Sequence, residues 1–572
     1  MRLWLGLWVI GCADKAQQPC IEGTHRDGSD RCIPDEAEAE PDGGSPPGPD
    51  DDTGAAWMDD TGPVGGDDPA DSPDADGGDV DADGSEPDPP EDLTPTPSWV
   101  SLADATVAIS GGASGARVGR AASGAGDIDG DGRADIMLGA DRANGVGGVE
   151  YGGWVTLHLA SSLPSTGVHP VESYSSRWLG FSEGELVGHN LGSGGDIDGD
   201  GQVDLLIAGY HAPAGGNMRG SVYGISGTSI EPGTHSTATA DWTIHGSRNV
   251  EGVGHGMSTA GDVDDDGLAD LVMGGCCGEP PGIGRAWVVT GAALTSSSGP
   301  IDLASHTPRW DGEYDNDQAG YKTSPLGDVD GDGLDDVAIG ARLYSAIIGG
   351  GGKAYILYGA SIPGVSIGHL ADADVHLPGT SIGGEQGYDI GPCGDMDGDG
   401  LNEIIVGAHH SSRNEMVAGE AMLYYGSQLS TRSEILDTEA DLRFISTEIN
   451  HLLGVSVEGG MDFDGNGSFD LIIGAAGMAP PTQGEPGEHE GMDSPGDAYL
   501  YWGEDLTPGV HDIEDASVHF EGEELEDHAG IRVTSAGDVI ADGADDLLIG
   551  TERGQTGVGQ AYLIMGLRAP LP

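Results

Sequence analysis

Lysine is almost missing from this chain. Only Lys15, Lys322 and Lys353 occur in 572 residues, and Lys and Arg together number 22 against 98 Asp and Glu, a formal net charge of −76. So acidic a chain repels nucleic acid and anionic membrane surfaces and attracts cations. Aromatic residues make up 5%, so any core must be built from aliphatic and small side chains. The six cysteines show no Cys-x-x-Cys spacing, which leaves zinc-finger and dithiol redox chemistry without its ligands. No apolar run reaches the roughly 20 residues that a membrane-spanning helix needs. A His-Glu-x-x-His pair and a phosphate-binding glycine loop with lysine are also missing. Glycine is the opposite case: its 103 residues signal many tight turns.

The first residues read as an export signal. Met1-Arg2 is a minimal positive start and Leu3 to Ile10 is apolar but too short to span a bilayer. Val9-Ile10-Gly11-Cys12 resembles the bacterial lipobox. That resemblance implies a signal peptide over 1–11, acylation of Cys12, and a chain exported to the outer membrane or cell surface, touching the membrane only through its lipid. Residues 12–33 then form the mature N-terminus, where Cys20 and Cys32 could pair. Such a bridge would stabilise its small loop by roughly 3 kcal/mol. The states of Cys276, Cys277 and Cys393 stay open at this point. From 34 to 98 the chain is Asp, Glu, Pro, Gly, Ser and Ala with almost no apolar residue. It cannot bury enough surface to offset ordering entropy, so a disordered acidic tether spanning roughly 45 Å is expected.

The remainder is repetitive. Asp-x-Asp-x-Asp-Gly-x-x-Asp, or a near copy, begins at Asp127, Asp196, Asp262, Asp328, Asp395, Asp462 and Asp538, at spacings of 66 to 69 residues and 76 for the last. Each copy runs into a β-rich stretch such as Val337-Ala338-Ile339 or Leu471-Ile472-Ile473. A second signature follows, as in Gly352-Lys353-Ala354-Tyr355-Ile356-Leu357-Tyr358-Gly359. No unit shows a long helical period. Seven units of this length predict an all-β fold, a seven-bladed β-propeller of four-stranded blades over 99–569. Each unit ends in an outer-strand segment such as Ala516 to Gly522, but the last unit stops without one. The missing copy, Ala105 to Gly111, stands at the front. This N-terminal strand is therefore expected to complete blade seven and close the ring.

The acidic motif has the chemistry of a calcium loop. Ca²⁺ takes six to eight oxygens, and carboxylates at positions 1, 3 and 5 of a tight loop, with a fourth at position 9, converge on one point. The expected ligands are Asp127, Asp129, Asp131 and Asp135; Asp196, Asp198, Asp200 and Asp204; Asp262, Asp264, Asp266 and Asp270; Asp328, Asp330, Asp332 and Asp336; Asp395, Asp397, Asp399 and Glu403; Asp462, Asp464, Asn466 and Asp470; and Asp538, Asp542 and Asp546. The seventh loop has Ile540 in place of its second carboxylate and is expected to be weak or empty. An EF-hand is excluded, because position 12, which must be acidic there, is apolar in every unit, as at Leu138, Ile339 and Ile549.

These motifs resemble the FG-GAP repeats of integrin alpha-subunit propellers and their bacterial relatives, over about Trp99 to Leu567. The resemblance implies Ca²⁺ ligation by the matched residues, with calcium stiffening one face and the other face free for a partner. A monomeric binding module for a surface protein or glycan is expected, with no catalytic residues. The weighed alternatives are a propeller glycosidase or lyase and a purely structural surface component. His189, His255, His409 and His410 are catalytic candidates by residue type alone. The stretch Met478 to Pro495 reads as an insertion on one face.

Overall fold

The computed structural model describes residues 98–566 except 112–114, 279–281, 346–348, 478–493, 525–526 and 553–557, together with two short strands near the N-terminus. Those two strands, Thr24–Arg26 and Cys32–Pro34, pair as an antiparallel hairpin. The expected signal peptide, Cys12, Cys20, the tether over 35–97 and most of the Met478–Pro495 stretch lie outside the described residues. No helix among the described residues is long and apolar enough to cross a membrane.

Alternating short strands and Gly/Asp turns cannot bury a face alone, so each unit folds into a small sheet that needs neighbours. Seven such blades form a ring. Blade 4 shows the plan: an inner strand Ala319–Gly327, then Asp336–Ala341, Lys353–Leu357 and the outer strand Val375–Pro378, all antiparallel. Each inner strand packs against the inner strands on both sides, and Arg532–Gly537 of blade 7 packs on Ala121–Gly126 of blade 1. The core lies between blades rather than at the axis. One cluster joins Val107, Ile109 and Leu563 of blade 7 to Ile136, Leu138 and Trp154 of blade 1, and its equivalents fill each of the other junctions.

Glycine fixes how closely the blades approach. A Cβ on Gly340 would lie 2.1 Å from the carbonyl oxygen of Gly387 in the next blade. Gly550 of blade 7 stands in the same relation to Gly119 of blade 1, at 2.0 Å. Equivalent pairs join Gly139 to Gly188, Gly274 to Gly320, Gly407 to Gly454 and Gly474 to Gly530. At the remaining junction Ala208 faces Gly254. The second glycine of each pair also has positive φ, +80° at Gly387, which side chains disfavour.

The ring closes as expected: Val107–Ser110 is the outer strand of blade 7, antiparallel to Gln560–Ile564. Two features go beyond the expected four strands. The connection between the third and outer strands of one blade lays a short parallel strand on the outer edge of the preceding blade. Gly233–Ser236 pairs in this way with Ser176–Leu179, and Gly509–Asp512 with Leu442–Ile445. Six sheets thus have five strands, and in blade 4 a single parallel bridge from Glu434 to His376 stands in the same place. At blade 6 the fifth strand is Ser98–Ser101, parallel to Val518–Glu521. The segment 98–110 therefore clasps blades 6 and 7 together with two strands.

The glycine seam yields a test. Gly340→Ala should lower stability by about 1–3 kcal/mol through overpacking, read as a fall in melting temperature. Gly299→Ala, at a site with no atom within 4 Å of the added carbon, should leave it unchanged.

Candidate functional site

The seven acidic loops join the inner strand of each blade to the second strand, so all lie on one face. Their shape comes from carboxylates accepting backbone N–H groups. In blade 4, Asp328 accepts from the N–H of Gly331 at 2.6 Å and of Gly333 at 2.9 Å, Asp330 from that of Asp332 at 3.1 Å, and Asp332 from that of Leu334 at 2.8 Å. Two loop positions have positive φ. The sixth, Gly333, follows from the motif, but the fourth, Gly331 (φ +83°), does too and is filled by Asp265 and Ala541 in blades 3 and 7.

The ninth position is fully buried in all seven loops. Its two oxygens each accept one backbone N–H. Asp336 accepts from Val329 at 2.8 Å and from Gly359, after the third strand, at 2.7 Å. The same pair of bonds recurs from Asp135 (Ile128 and Ala160) to Asp546 (Val539 and Gly566). Burial pushes these carboxyls up, to about 6 at Asp135, Asp204 and Asp546 and about 7 at Asp270, Asp336, Glu403 and Asp470. The ninth residue thus anchors the loop to its blade as well as offering oxygen to its interior.

Carboxylate oxygens converge in these loops. Ligand atoms of Asp127, Asp129 and Asp131, of Asp196, Asp198 and Asp204, of Asp262, Asp264 and Asp270, and of Asp328, Asp330 and Asp332 lie within 4.8 Å of one another. The donors are all oxygen, which fits a hard divalent cation and no softer one. Position 12 lies inside the second strand and is fully buried at Ile339 and Ile473, so no EF-hand geometry exists. In blade 5 the N–H of Asp399 donates to Asp397 and that of Gly400 to Asp395, both at 3.0 Å. In blade 6 the Asn466 amide donates to Asp464 at 3.0 Å and to Glu504 at 2.8 Å, a carboxylate that the motif does not contain. Blade 7 keeps the loop shape without its second carboxylate: Asp542 and Gly543 still donate to Asp538 at 3.0 and 2.8 Å, and Ile540 points outward, 44% exposed.

Neighbouring loops are also tied to one another. The eighth-position N–H donates to the first-position carbonyl of the preceding loop at Ala134 to Asp538, Ala269 to Asp196, Asn402 to Asp328 and Asp545 to Asp462 (2.8–3.0 Å). Two eighth-position carboxylates, Asp335 and Asp545, accept from the N–H of Asp262 and Asp462, both at 3.0 Å.

At the other end of the inner and second strands, around the axis, rings form an arc. His211, Tyr210, His189, His255, Tyr321, Tyr388, His409 and His410 follow one another with centroid separations from 3.8 to 5.2 Å. Arg342 lies over Tyr321 at 4.3 Å. Between adjacent blades, Arg117 and Arg120 pair with Glu552 at 2.5 and 2.7 Å, and His189 reaches Asp141 at 3.1 Å. The four histidines singled out by residue type are thus brought together with tyrosines. Burial holds His189, His255 and His409 below the ordinary histidine range, hence neutral at pH 7. The run Gly379-Thr380-Ser381-Ile382-Gly383 spells Gly-x-Ser-x-Gly, but it follows an outer strand and leads into a turn rather than a helix. Ser381 Oγ accepts from the N–H of Ser412 at 3.2 Å, so this is not a nucleophile elbow.

Because two buried N–H groups depend on it, Asp336→Ala should cost about 2–4 kcal/mol, and should do so in EDTA as well as in Ca²⁺. Asp332→Ala, on the exposed side of the same loop, should cost far less in EDTA. Chemical denaturation of both variants checks this.

The comparisons follow this geometry. The family model described as FG-GAP repeat matches residues 319–357, which are the inner strand, acidic loop and next two strands of blade 4. Integrin alpha-5 of Xenopus laevis is 34% identical over 168 residues, 28% of this chain and 15% of the relative. Integrin alpha-IIb of Homo sapiens is 31% identical over 158 residues, 26% of this chain and 14% of the relative. Integrin alpha pat-2 of Caenorhabditis briggsae is 27% identical over 255 residues, 41% of this chain and 19% of the relative. The chain thus spans less than a fifth of the length of these relatives. The chain is thus a seven-bladed β-propeller with an FG-GAP repeat match in blade 4, and it is similar to integrin alpha chains over part of its length.

Proposed function

We propose that the chain is a calcium-binding adhesion module of the cell surface that recognises a protein or a glycan and carries out no catalysis. The carrying observation is the set of acidic loops on one face, whose carboxylate oxygens converge within 4.8 Å. In this reading Asp328, Asp330, Asp332 and Asp336, and their counterparts in blades 1, 2, 3, 5 and 6, hold Ca²⁺, and the seventh loop binds weakly or not at all. The bound ion supplies positive charge that offsets the mutual repulsion of the carboxylates. The loop-to-loop hydrogen bonds then spread the stiffening around the ring, leaving the opposite face as a firm platform for a partner. The similarity to integrin alpha chains supports an adhesive role. Export, acylation of Cys12, tethering by residues 34–98 and a monomeric state complete the proposal.

Two measurements test it. With millimolar affinity and about 10 mM Ca²⁺, each occupied loop should add about 1.4 kcal/mol. EDTA should therefore lower the melting temperature markedly, and an unchanged value would sink the calcium reading. Equilibrium dialysis in about 10 mM Ca²⁺ should approach six bound ions per chain, one fewer in Asp328→Ala and no fewer in Asp538→Ala. For the partner, immobilised protein should retain an envelope protein or an arrayed glycan in Ca²⁺ and release it in EDTA. Turnover of a glycan would overturn the non-catalytic assignment.

A further inference from the structure

His409 and His410 stand one residue beyond the strand Glu403–Gly407. That strand begins at the acidic loop of blade 5, so the two histidines stand about 20 Å away on the opposite face. Glu385 comes to meet them from the connection between blades 4 and 5. One ligand atom from each of the three residues lies within 4.8 Å of the others. We propose that Glu385, His409 and His410 form a binding site for a transition-metal dication of the Zn²⁺ class, separate from the acidic loops and different from them in chemistry.

Three observations carry it. His410 Nδ1 and Glu385 Oε1 are 3.2 Å apart. Two ligands of one tetrahedral ion with bonds near 2.05 Å stand about 3.3 Å apart, so the pair already has the spacing of shared ligands. His409 is only 4% exposed, yet its Nδ1 is buried with no hydrogen-bond partner among the described residues. Its neighbours are otherwise satisfied: His255 Nδ1 meets the carbonyl of Tyr321 at 2.9 Å. A buried ring nitrogen without a partner calls for an explanation, and an ion is one. Finally, the outer partners are in place. Arg342 holds Glu385 Oε2 at 2.7 Å and is itself held by Gln318 Oε1 at 2.7 Å, which leaves Oε1 facing the histidines, as outer partners of metal ligands do. Tyr388 packs against His409 with ring centroids 3.8 Å apart and the planes tilted by 45°, which restrains the imidazole.

The donor types separate this site from the loops. Imidazole suits Zn²⁺, Ni²⁺, Cu²⁺ or Fe²⁺, whereas Ca²⁺ takes oxygen. Three protein donors leave a fourth position for water or for a donor from a bound partner. The Arg342 guanidinium nearby opposes added positive charge, so the site is weaker than one built from three free histidines.

The test uses the full chain in about 10 mM Ca²⁺, which saturates the oxygen loops. Zn²⁺ is titrated against a chromophoric chelator, and Co²⁺ is followed by its visible absorption. One Zn²⁺ per chain is expected, with a tetrahedral Co²⁺ spectrum. His410→Ala, at a partly exposed position, should weaken Zn²⁺ at least tenfold and abolish that spectrum while leaving the melting temperature in Ca²⁺ unchanged. Glu385→Gln should weaken it less, and His511→Ala, on an outer connection, not at all. Absence of Zn²⁺ binding in Ca²⁺, or equal affinity in the wild type and His410→Ala, would show a hydrogen-bonded cluster only and overturn the assignment.

Discussion

Backbone meeting backbone between blades is the constraint on which everything else rests. Where Gly340 approaches the Gly387 carbonyl, or Gly550 that of Gly119, any side chain would collide. This contact sets the distance at which aliphatic clusters from two sheets can interlock. It also explains how a chain with so few aromatics builds a close-packed ring: thin, closely spaced sheets are filled mainly by Val, Ile, Leu and Ala, with a few buried rings such as Trp154, Tyr355 and Trp287 among them. The same spacing brings successive acidic loops within hydrogen-bonding reach, so the eighth-position N–H groups find the first-position carbonyls next door.

The acidic loops combine two tasks that the motif alone does not separate. Their turn is shaped by carboxylate-to-backbone bonds and survives in blade 7 with Ile540 at the third position. The buried ninth residue is an anchor in all seven blades, which is why a glycine or alanine N–H waits for it after every third strand. Positions 1, 3 and 5 stay at the surface, free to serve a cation. Substitutions at these two classes of position therefore act through different states of the protein.

Much of this was legible in the sequence, because it is local and periodic. Seven copies of one acidic turn, each entering an apolar run, specify seven hairpins, and the orphaned Ala105–Gly111 segment specifies the closure. The fifth strands were not legible. Ile301–Asp302 is two residues long and Gly167–Pro170 is mostly exposed, so neither carries an alternating pattern, and both exist only because a neighbouring edge is there to pair with. Ser98–Ser101 hid for the same reason at the end of the acidic stretch. The positive φ at the fourth loop position was masked by Asp265 and Ala541, residues that do not announce it. Glu504 was out of reach because it joins the blade 6 loop from beyond the third strand, 38 residues on, and the arc of rings because it is assembled from different blades. His189 and His409 lie 220 residues apart and meet only through the tyrosines between them.

The clasp formed by Ser98–Ser101 and Val107–Ser110 has a consequence for how the molecule comes into being. These are the first residues of the ring to be synthesised, yet the edges they cover, Val518–Glu521 and Gln560–Ile564, are among the last. Until they pair, blade 7 has a bare edge and blade 6 lacks its cover, both open to pairing with another chain. Closing so long a loop from a random coil would cost about 5 kcal/mol in chain entropy. Six blades stacked in order bring the two ends side by side beforehand, so the growing ring itself delivers the waiting strand to its place.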